Sequence, residues 1–325
     1  MHVLHVVGAR PNSMKMVPVH AAFLRRVGVR DSLVHTGQHC DAELSDIFGQ
    51  FEIPRPEFCL KVDPGSRATQ TAEVMIRFEQ TVLERQPDLV LVYDDVNSTV
   101  AATLVCAKVG IRIGHVEAGL RSFDRTMPEE INRLITDQLA DLLLIPSEEA
   151  EGNPLREGVS PEQIRFVGNV MIDTLRTPLP KARLPEIPGL DDHFALVTLH
   201  RPFNVDEPKM LIRILAALDD IRRRLQIVFP VHPRTKARIE NLGYCFNCLN
   251  RFFAIPPTGY LECLALQQRA QVVDMDLLRC EFDRILSGHG KGGRIPPLWD
   301  GSASKRIRSN SERNRCVERR SGVAA

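Results

Sequence analysis

Apolar and polar positions follow two alternating rhythms along this chain. Short, largely apolar and β-branched runs recur at 3–7, 32–35, 89–93, 111–116, 142–145 and 164–167, and their length suits buried strands. Between them, 18–26, 68–84, 100–109, 129–140 and 148–158 carry apolar residues at helical spacing. Strands that alternate with helices imply parallel βαβ units with helices on both faces of one sheet, a doubly wound domain running to about residue 170. Pro178, Pro180, Pro185 and Pro188 break the stretch 175–192, which reads as an interdomain link. A second series follows, with strands at 194–198, 226–231, 252–255 and 271–273 and a helix at 209–224. The pattern predicts an α/β protein of two Rossmann-like domains, 1–172 and 173–301, with a Ser/Arg-rich tail at 302–325. Within that tail the order expected beyond Arg308 is low.

The polar residues that interrupt this pattern gather at strand ends, where open parallel sheets bind ligands. The first strand runs into Gly8, Ala9, Arg10, Pro11 and Lys15, with neither a GxGxxG nor a Walker lysine motif, which disfavours an ordinary dinucleotide or P-loop site. Arg10 and Lys15 could still hold an anion at a helix start, although a tight turn with exposed basic residues reads equally well. Gln38 and His39 follow the second strand, and Asp94 and Asp95 follow a later one. The densest cluster is 115–133, with Glu117, Arg121, Asp124, Arg125, Glu129, Glu130 and Arg133 directly after an apolar run. Pro128, Glu129 and Glu130 suit the first turn of a helix, so Glu117 and Glu129 or Glu130 could face one pocket. In the second half His200, Arg201 and His232 occupy matching strand-end positions, each histidine also readable as a purely structural residue.

Composition narrows the classes. With 325 residues and 43% hydrophobic, the chain can bury sizeable cores and is long for one domain. A net charge of +1 gives no electrostatic reason to expect nucleic acid or an anionic membrane as the main partner, and the Arg-rich tail reads as solvated. No membrane span is visible and the opening apolar run does not read as a signal peptide, so a cytoplasmic location is expected. Eight irregularly spaced cysteines read as reduced core thiols, and the single CxxC at Cys245 and Cys248 lacks the partners that zinc needs.

Taken together, GARPNSMK, TGQH, PDLVLVYDDVNST, GHVEAGLRSFDRTMPEEINR, EGVSPEQIRFVGNVMIDTL, TLHRPFN and FPVHPRT run almost continuously to about residue 273. In these motifs the chain resembles the non-hydrolysing UDP-N-acetylglucosamine 2-epimerases. The resemblance implies two Rossmann-like domains of the GT-B type and interconversion of UDP-GlcNAc and UDP-ManNAc by a cytoplasmic homodimer, without NAD or metal. It also implies anti elimination of UDP to 2-acetamidoglucal, followed by re-addition of UDP. By motif match Asp95, Glu117 and Glu129 would be the acid and base carboxylates, with His200 catalytic or on the diphosphate side. Arg10 and Lys15 would lie near the phosphates, while Gln38, His39, Gln70, Arg201 and His232 match positions that bind a second, activating sugar nucleotide in some members.

Two departures stand out. Asp94 occupies a position that is usually glycine in the family, which implies a crowded turn or a second negative charge beside Asp95. After Val273 the family's DSGG, QEE and TERP segments, which grip UDP, are missing, and Ile295 to Gly301 resumes the C-terminal pattern as though after an internal deletion, with the family's closing helix expected to begin near Ser302 and to fit through Lys305, Arg306 and Ile307. A UDP-sugar-binding relic with impaired turnover is therefore the alternative to an active epimerase, with a GT-B glycosyltransferase or a hydrolysing relative further alternatives.

Overall fold

The computed structural model describes residues 1–37, 56–176, 179–199, 205–244, 250–270 and 295–313, apart from the side chains of Arg10 and Tyr260. The chain forms two compact units, one built from everything described before Pro178 together with 295–313, the other from the intervening residues.

The first unit is a seven-stranded parallel sheet. Its elements in chain order are β1 (His2–Val7), α1 (Arg10–Leu24), β2 (Arg30–Gly37), β3 (Phe58–Val62), α2 (Arg67–Arg85), β4 (Leu89–Tyr93) and α3 (Asn97–Val109). These are followed by β5 (Ile113–Val116), α4 (Pro128–Leu139), β6 (Leu142–Ile145), the short α5 (Gly152–Arg156), β7 (Ile164–Phe166) and α6 (Val170–Arg176). The strand order is β3-β2-β1-β4-β5-β6-β7. Chain direction across the sheet reverses between β1, which pairs with β2 through Val3 and Asp31, and β4, which pairs through Val3 and Leu89. Crevices at such a reversal are where doubly wound sheets hold ligands. Every residue of β4 and β5 is buried, as expected for inner strands covered on both faces.

Three local differences from the sequence pattern have physical causes. α1 begins at Arg10, not near residue 18, because Pro11 suits a first turn. Pro18 lies inside the helix; it cannot donate to the Met14 carbonyl, and the Thr174 hydroxyl fills that acceptor at 2.6 Å. The helix expected at 148–158 divides into a 3-10 turn (Glu148–Ala150) and α5, since Gly152 and Pro154 both weaken a continuous helix. β3 escapes the pattern because it is a short edge strand in which Lys61 adopts φ 54°.

The C-terminal boundary also differs from the expected 173–301 and 302–325. A closing helix, Ala303–Arg313, carries order five residues past Arg308 and packs on α1 and α6. Asp173 caps it from another element, accepting from Ala303 N at 3.2 Å, Ser304 N at 3.0 Å and Ser304 Oγ at 2.6 Å. Trp299 Nε1 donates to Pro146 O at 3.1 Å and Arg306 to Val167 O at 3.0 Å, so 295–313 belongs to the first unit. Only a sequence distant from 1–172 supplies these donors, so local pattern could not reveal the docking.

The second unit contains β8 (Phe194–Leu196), α7 (Pro208–Arg222), β9 (Gln226–Pro230), α8 (Pro233–Asn241), β10 (Phe252–Ile255) and α9 (Tyr260–Arg269). Its described strands form a parallel sheet in the order β10-β9-β8, with Phe229 and Leu218 among the fully buried residues between sheet and helix. The strand expected at 271–273 and the departure that follows Val273 lie outside the described residues. Among the described residues no helix is long and apolar enough to cross a membrane. The reading of every cysteine as a free thiol is corrected at Cys59, which is disulfide-bonded, whereas Cys106 and Cys263 are free.

Candidate active site

At the carboxyl edge of β1, β4 and β5 three short turns are tied together by side chains. Asn12 Oδ1 accepts from Ala9 N at 3.1 Å while its Nδ2 donates to Tyr93 O at 3.1 Å, and Thr99 Oγ1 donates to the same carbonyl at 2.6 Å. Gly8 is required by close approach, because a Cβ there would run into Ser98 Oγ. With the turns pinned, Lys15 reaches from the second turn of α1 to bridge Asp94, at 2.7 Å, and Glu117.

Both carboxylates project from strained backbone. Asp94 sits at φ 62° and Glu117 at φ 72°, left-handed conformations that cost non-glycine residues roughly 1–2 kcal/mol. The first is a conformation that glycine adopts without strain; here Asp94 accepts the strain and takes the Lys15 ammonium. Asp95 turns toward Arg133, whose Nε lies 2.9 Å and whose terminal nitrogen 2.6 Å from Oδ2. Asn132 Nδ2 fixes the Asp95 carbonyl at 2.7 Å.

Electrostatically the two carboxylates share one character. Burial raises the Glu117 pKa above the ordinary value, the Lys15 charge pulls it back only in part, and Asp94 adds to the rise. Burial and the neighbouring Asp94 likewise raise Asp95 against the pull of Arg133. Lys15 is opposed by burial, yet Glu117 and Asp94 outweigh it and hold its pKa above the usual lysine range. Two carboxyl groups with raised pKa beside fixed cations can take and return protons, which is what acid-base chemistry at an unreactive C–H needs.

Behind this cluster lies a support whose centre, Asp137, the sequence did not single out. His115 Nε2 donates to Asp94 O at 2.9 Å when its Nδ1 faces Asp137, 2.6 Å away. The other Asp137 oxygen accepts from Gly119 N at 3.0 Å and from Arg121 at 2.8 Å, and Arg121 clamps Glu157 through two nitrogens at 2.9 and 2.6 Å. Asp137 thus holds the turn after β4 and the turn after β5 at once. Burial would raise its pKa, but His115 and Arg121 outweigh burial and it lies below the ordinary value. The signal was present as spacing, since Glu130, Arg133 and Asp137 form one polar stripe on an otherwise amphipathic α4.

Glu130 and Glu129 have separate surroundings. Glu130 is 2% exposed and accepts from Ser122 N at 2.9 Å, Phe123 N at 3.0 Å and Arg133 at 2.6 Å, so it shapes the 117–123 loop. Glu129 is half-buried and has no ion pair among the described residues. Gln70 Oε1 accepts from Asn97 Nδ2 at 2.8 Å beside an open cleft of about 540 Å³, lined by Arg67, Thr71, Asn97, Arg125, Pro128 and Ile131 among others.

Of the sequence-predicted residues, the structure brings together Lys15, Asp95 and Glu117, with Glu129 on the adjoining helix start and Gln70 linked through Asn97. Arg10 opens α1. His232 belongs to the second unit, where its exposed ring accepts from Arg234 N at 3.4 Å and caps α8. Gln38, His39, His200 and Arg201 lie outside the described residues.

A family model described as UDP-N-acetylglucosamine 2-epimerase matches residues 22–276, ending close to where the sequence departs from that pattern. A Methanococcus maripaludis protein named UDP-N-acetylglucosamine 2-epimerase homolog is 40% identical over 285 residues, 85% of this chain and 78% of its own. A Pseudomonas aeruginosa UDP-2,3-diacetamido-2,3-dideoxy-D-glucuronate 2-epimerase is 39% identical over 280 residues, with the same two coverages. Among solved structures, the Methanocaldococcus jannaschii UDP-GlcNAc 2-epimerase in complex with UDP-GlcNAc and UDP has a TM-score of 0.77 and 30% identity, covering 96% of this chain and all of that one. The Neisseria meningitidis UDP-GlcNAc 2-epimerase reaches a TM-score of 0.81 at 22% identity, covering 97% of this chain and all of that one, and supports the shared GT-B-type α/β fold. With a carboxylate-bearing sheet edge in hand and a match over most of its length, this chain belongs to the UDP-N-acetylglucosamine 2-epimerase family.

Proposed function

We propose that the chain interconverts UDP-GlcNAc and UDP-ManNAc, and the observation that carries this is the pair Asp95 and Glu117, both with raised pKa, held by Arg133 and Lys15 at one sheet edge. The proton on carbon 2 passes to one carboxylate as the bond from carbon 1 to the UDP oxygen breaks, giving 2-acetamidoglucal and UDP. Return of a proton to the opposite face of carbon 2, with UDP re-forming the bond at carbon 1, completes the inversion. Asp95, Glu117 and Glu129 are assigned to proton transfer and His200 to the same chemistry or to the diphosphate. Arg10 and Lys15 supply cationic charge for the leaving group. Gln38, His39, Gln70, Arg201 and His232 are assigned to a second, activating sugar nucleotide. The working form is a homodimer in the cytoplasm that needs no cofactor.

The missing DSGG, QEE and TERP segments lower the expected turnover, since they would supply the main grip on UDP. Incubation with UDP-GlcNAc in deuterated water, followed by proton NMR, tests both halves of the reading. Deuterium at carbon 2 with UDP-ManNAc formed is the expected result. A folded, UDP-binding sample that shows no exchange would make the chain a binding relic. Running the diacetamido-glucuronate nucleotide alongside decides which substituents at carbons 3 and 6 are accepted, because the names of both relatives share epimerisation at carbon 2.

A further inference from the structure

A second knot of ionisable side chains lies in the first unit, away from the carboxyl-edge cluster. His5 on β1, Asp31 on β2 and His20 on α1 converge between sheet and helix, all almost fully buried. Asp31 Oδ1 is 2.6 Å from His5 Nε2, and Oδ2 is 2.6 Å from His20 Nδ1. One donor atom from each residue falls within 4.8 Å of the other two.

Read as hydrogen bonding alone, this knot is incomplete. Both ring nitrogens of His20 and Asp31 Oδ2 are buried without a hydrogen bond of acceptable geometry. Among the described residues Asp31 is also a buried anion with no permanent cation, for its ion pairs there are both to histidines. Buried carboxylates are ordinarily paired with a charge or coordinated to a metal. Two imidazole nitrogens and one carboxylate oxygen are a donor set suited to zinc and its neighbours. His5 carries the outer contact such sites use: its Nδ1 lies 2.6 Å from the Tyr93 hydroxyl, which fixes the ring so that Nε2 is turned inward to Asp31.

We infer that His5, His20 and Asp31 supply three ligands of a buried binding site for one divalent transition-metal ion of the zinc class, with an enclosed water as the fourth, a site independent of the proposed epimerase reaction. Metal-ligand bonds of about 2.0–2.2 Å would place the ion between the imidazoles and the carboxylate after the nitrogen and oxygen atoms part by less than about 1 Å. The ion would fasten α1, the helix that carries Lys15, to β1 and β2. Because the site is closed to solvent, metal enters as the chain folds.

The full-length protein, made without a histidine tag in minimal medium supplemented with Co²⁺, tests this directly through metal content and the visible spectrum. One Co²⁺ per chain with nitrogen and oxygen ligand-field bands is expected, and growth with Zn²⁺ instead should give one Zn²⁺. His20→Leu and the nearly isosteric Asp31→Asn should each weaken retention against a graded series of chelators by about 100-fold or more. Tyr93→Phe should weaken it about 10-fold with the spectrum kept. If His20→Leu fails to fold, Asp31→Asn still decides the matter. Wild-type protein without metal, uptake unchanged in Asp31→Asn, or a thiolate charge-transfer band that puts the ion on cysteines would each overturn the assignment.

Discussion

Two buried carboxylates of the first unit face a histidine nitrogen at the same distance, 2.6 Å, yet the pairs are built differently. Asp137 pairs with His115 and with Arg121, a permanent cation, and its second oxygen also holds Gly119 N. Asp31 pairs with His5 and His20 and has no Lys or Arg partner among the described residues. The first is a completed network whose output is the position of two turns, the second an anionic centre whose balancing charge must come from a proton or a metal ion. Burial and an Asp–His contact alone therefore do not say what a network is for; the missing or present guanidinium does.

The largest effect that would sharpen this contrast comes from Asp137. Asp137→Ala takes the shared acceptor from His115 and Gly119 N and one of two carboxylate partners from the Arg121 guanidinium, which is 1% exposed and keeps Glu157, and loss of one member of such a buried pair costs about 3–5 kcal/mol. Urea denaturation should show that loss, together with faster hydrogen exchange at Gly119. In chelator-treated protein Asp31→Asn removes no partner from a permanent charge and should cost less, about 1–3 kcal/mol. Equal losses in the two variants would erase the distinction between the networks.

A pH series separates them further. Because the folded Asp137 pKa is depressed, its stabilisation is fully present above the unfolded value near pH 4 and fades as pH falls through the lower folded value. Wild-type stability should thus drop below about pH 4, and Asp137→Asn should flatten that part of the curve. An unchanged slope would mean that other carboxylates carry the acid sensitivity.

Much of this was legible in the sequence, though unevenly. The doubly wound order followed from alternating runs such as 89–93 and 100–109, because inner parallel strands are apolar on both faces and leave little ambiguity. The candidate carboxylates Asp95 and Glu117 were legible as polar residues directly after such runs. Asp137 was not, since its meaning depends on His115 and Arg121, 22 and 16 residues earlier, meeting it across the sheet. His5, His20 and Asp31 were equally hidden: they lie on three different elements with no shared sequence spacing, and only the β1–β2 register and the rotation of α1 bring them together. The closing helix was legible by resemblance from near Ser302 to Ile307, but its continuation to Arg313 and its docking were not, because its cap, Asp173, lies 130 residues before Ala303.

The smallest predicted effect concerns Asp94, which joins the completed network to the proposed chemistry: its carbonyl receives His115 and its carboxylate receives Lys15. Its negative charge helps raise the pKa of both Asp95 and Glu117. Asp94→Asn keeps a residue that tolerates φ 62° and removes only the charge, so the fold should change by less than about 1 kcal/mol. Carbon-13 NMR titration of the carboxyl groups should then find Asp95 and Glu117 shifted downward, toward ordinary values. Any pH-rate profile should move its acid limb in the same direction. Lys15, freed from one carboxylate, would lean more fully on Glu117 and reinforce the fall there. Should Asp95 and Glu117 titrate unchanged in Asp94→Asn, burial alone sets their pKa. Asp94 would then be a backbone substitution without electrostatic consequence, and the Asp137 network would support the shape of the site but not its proton affinity.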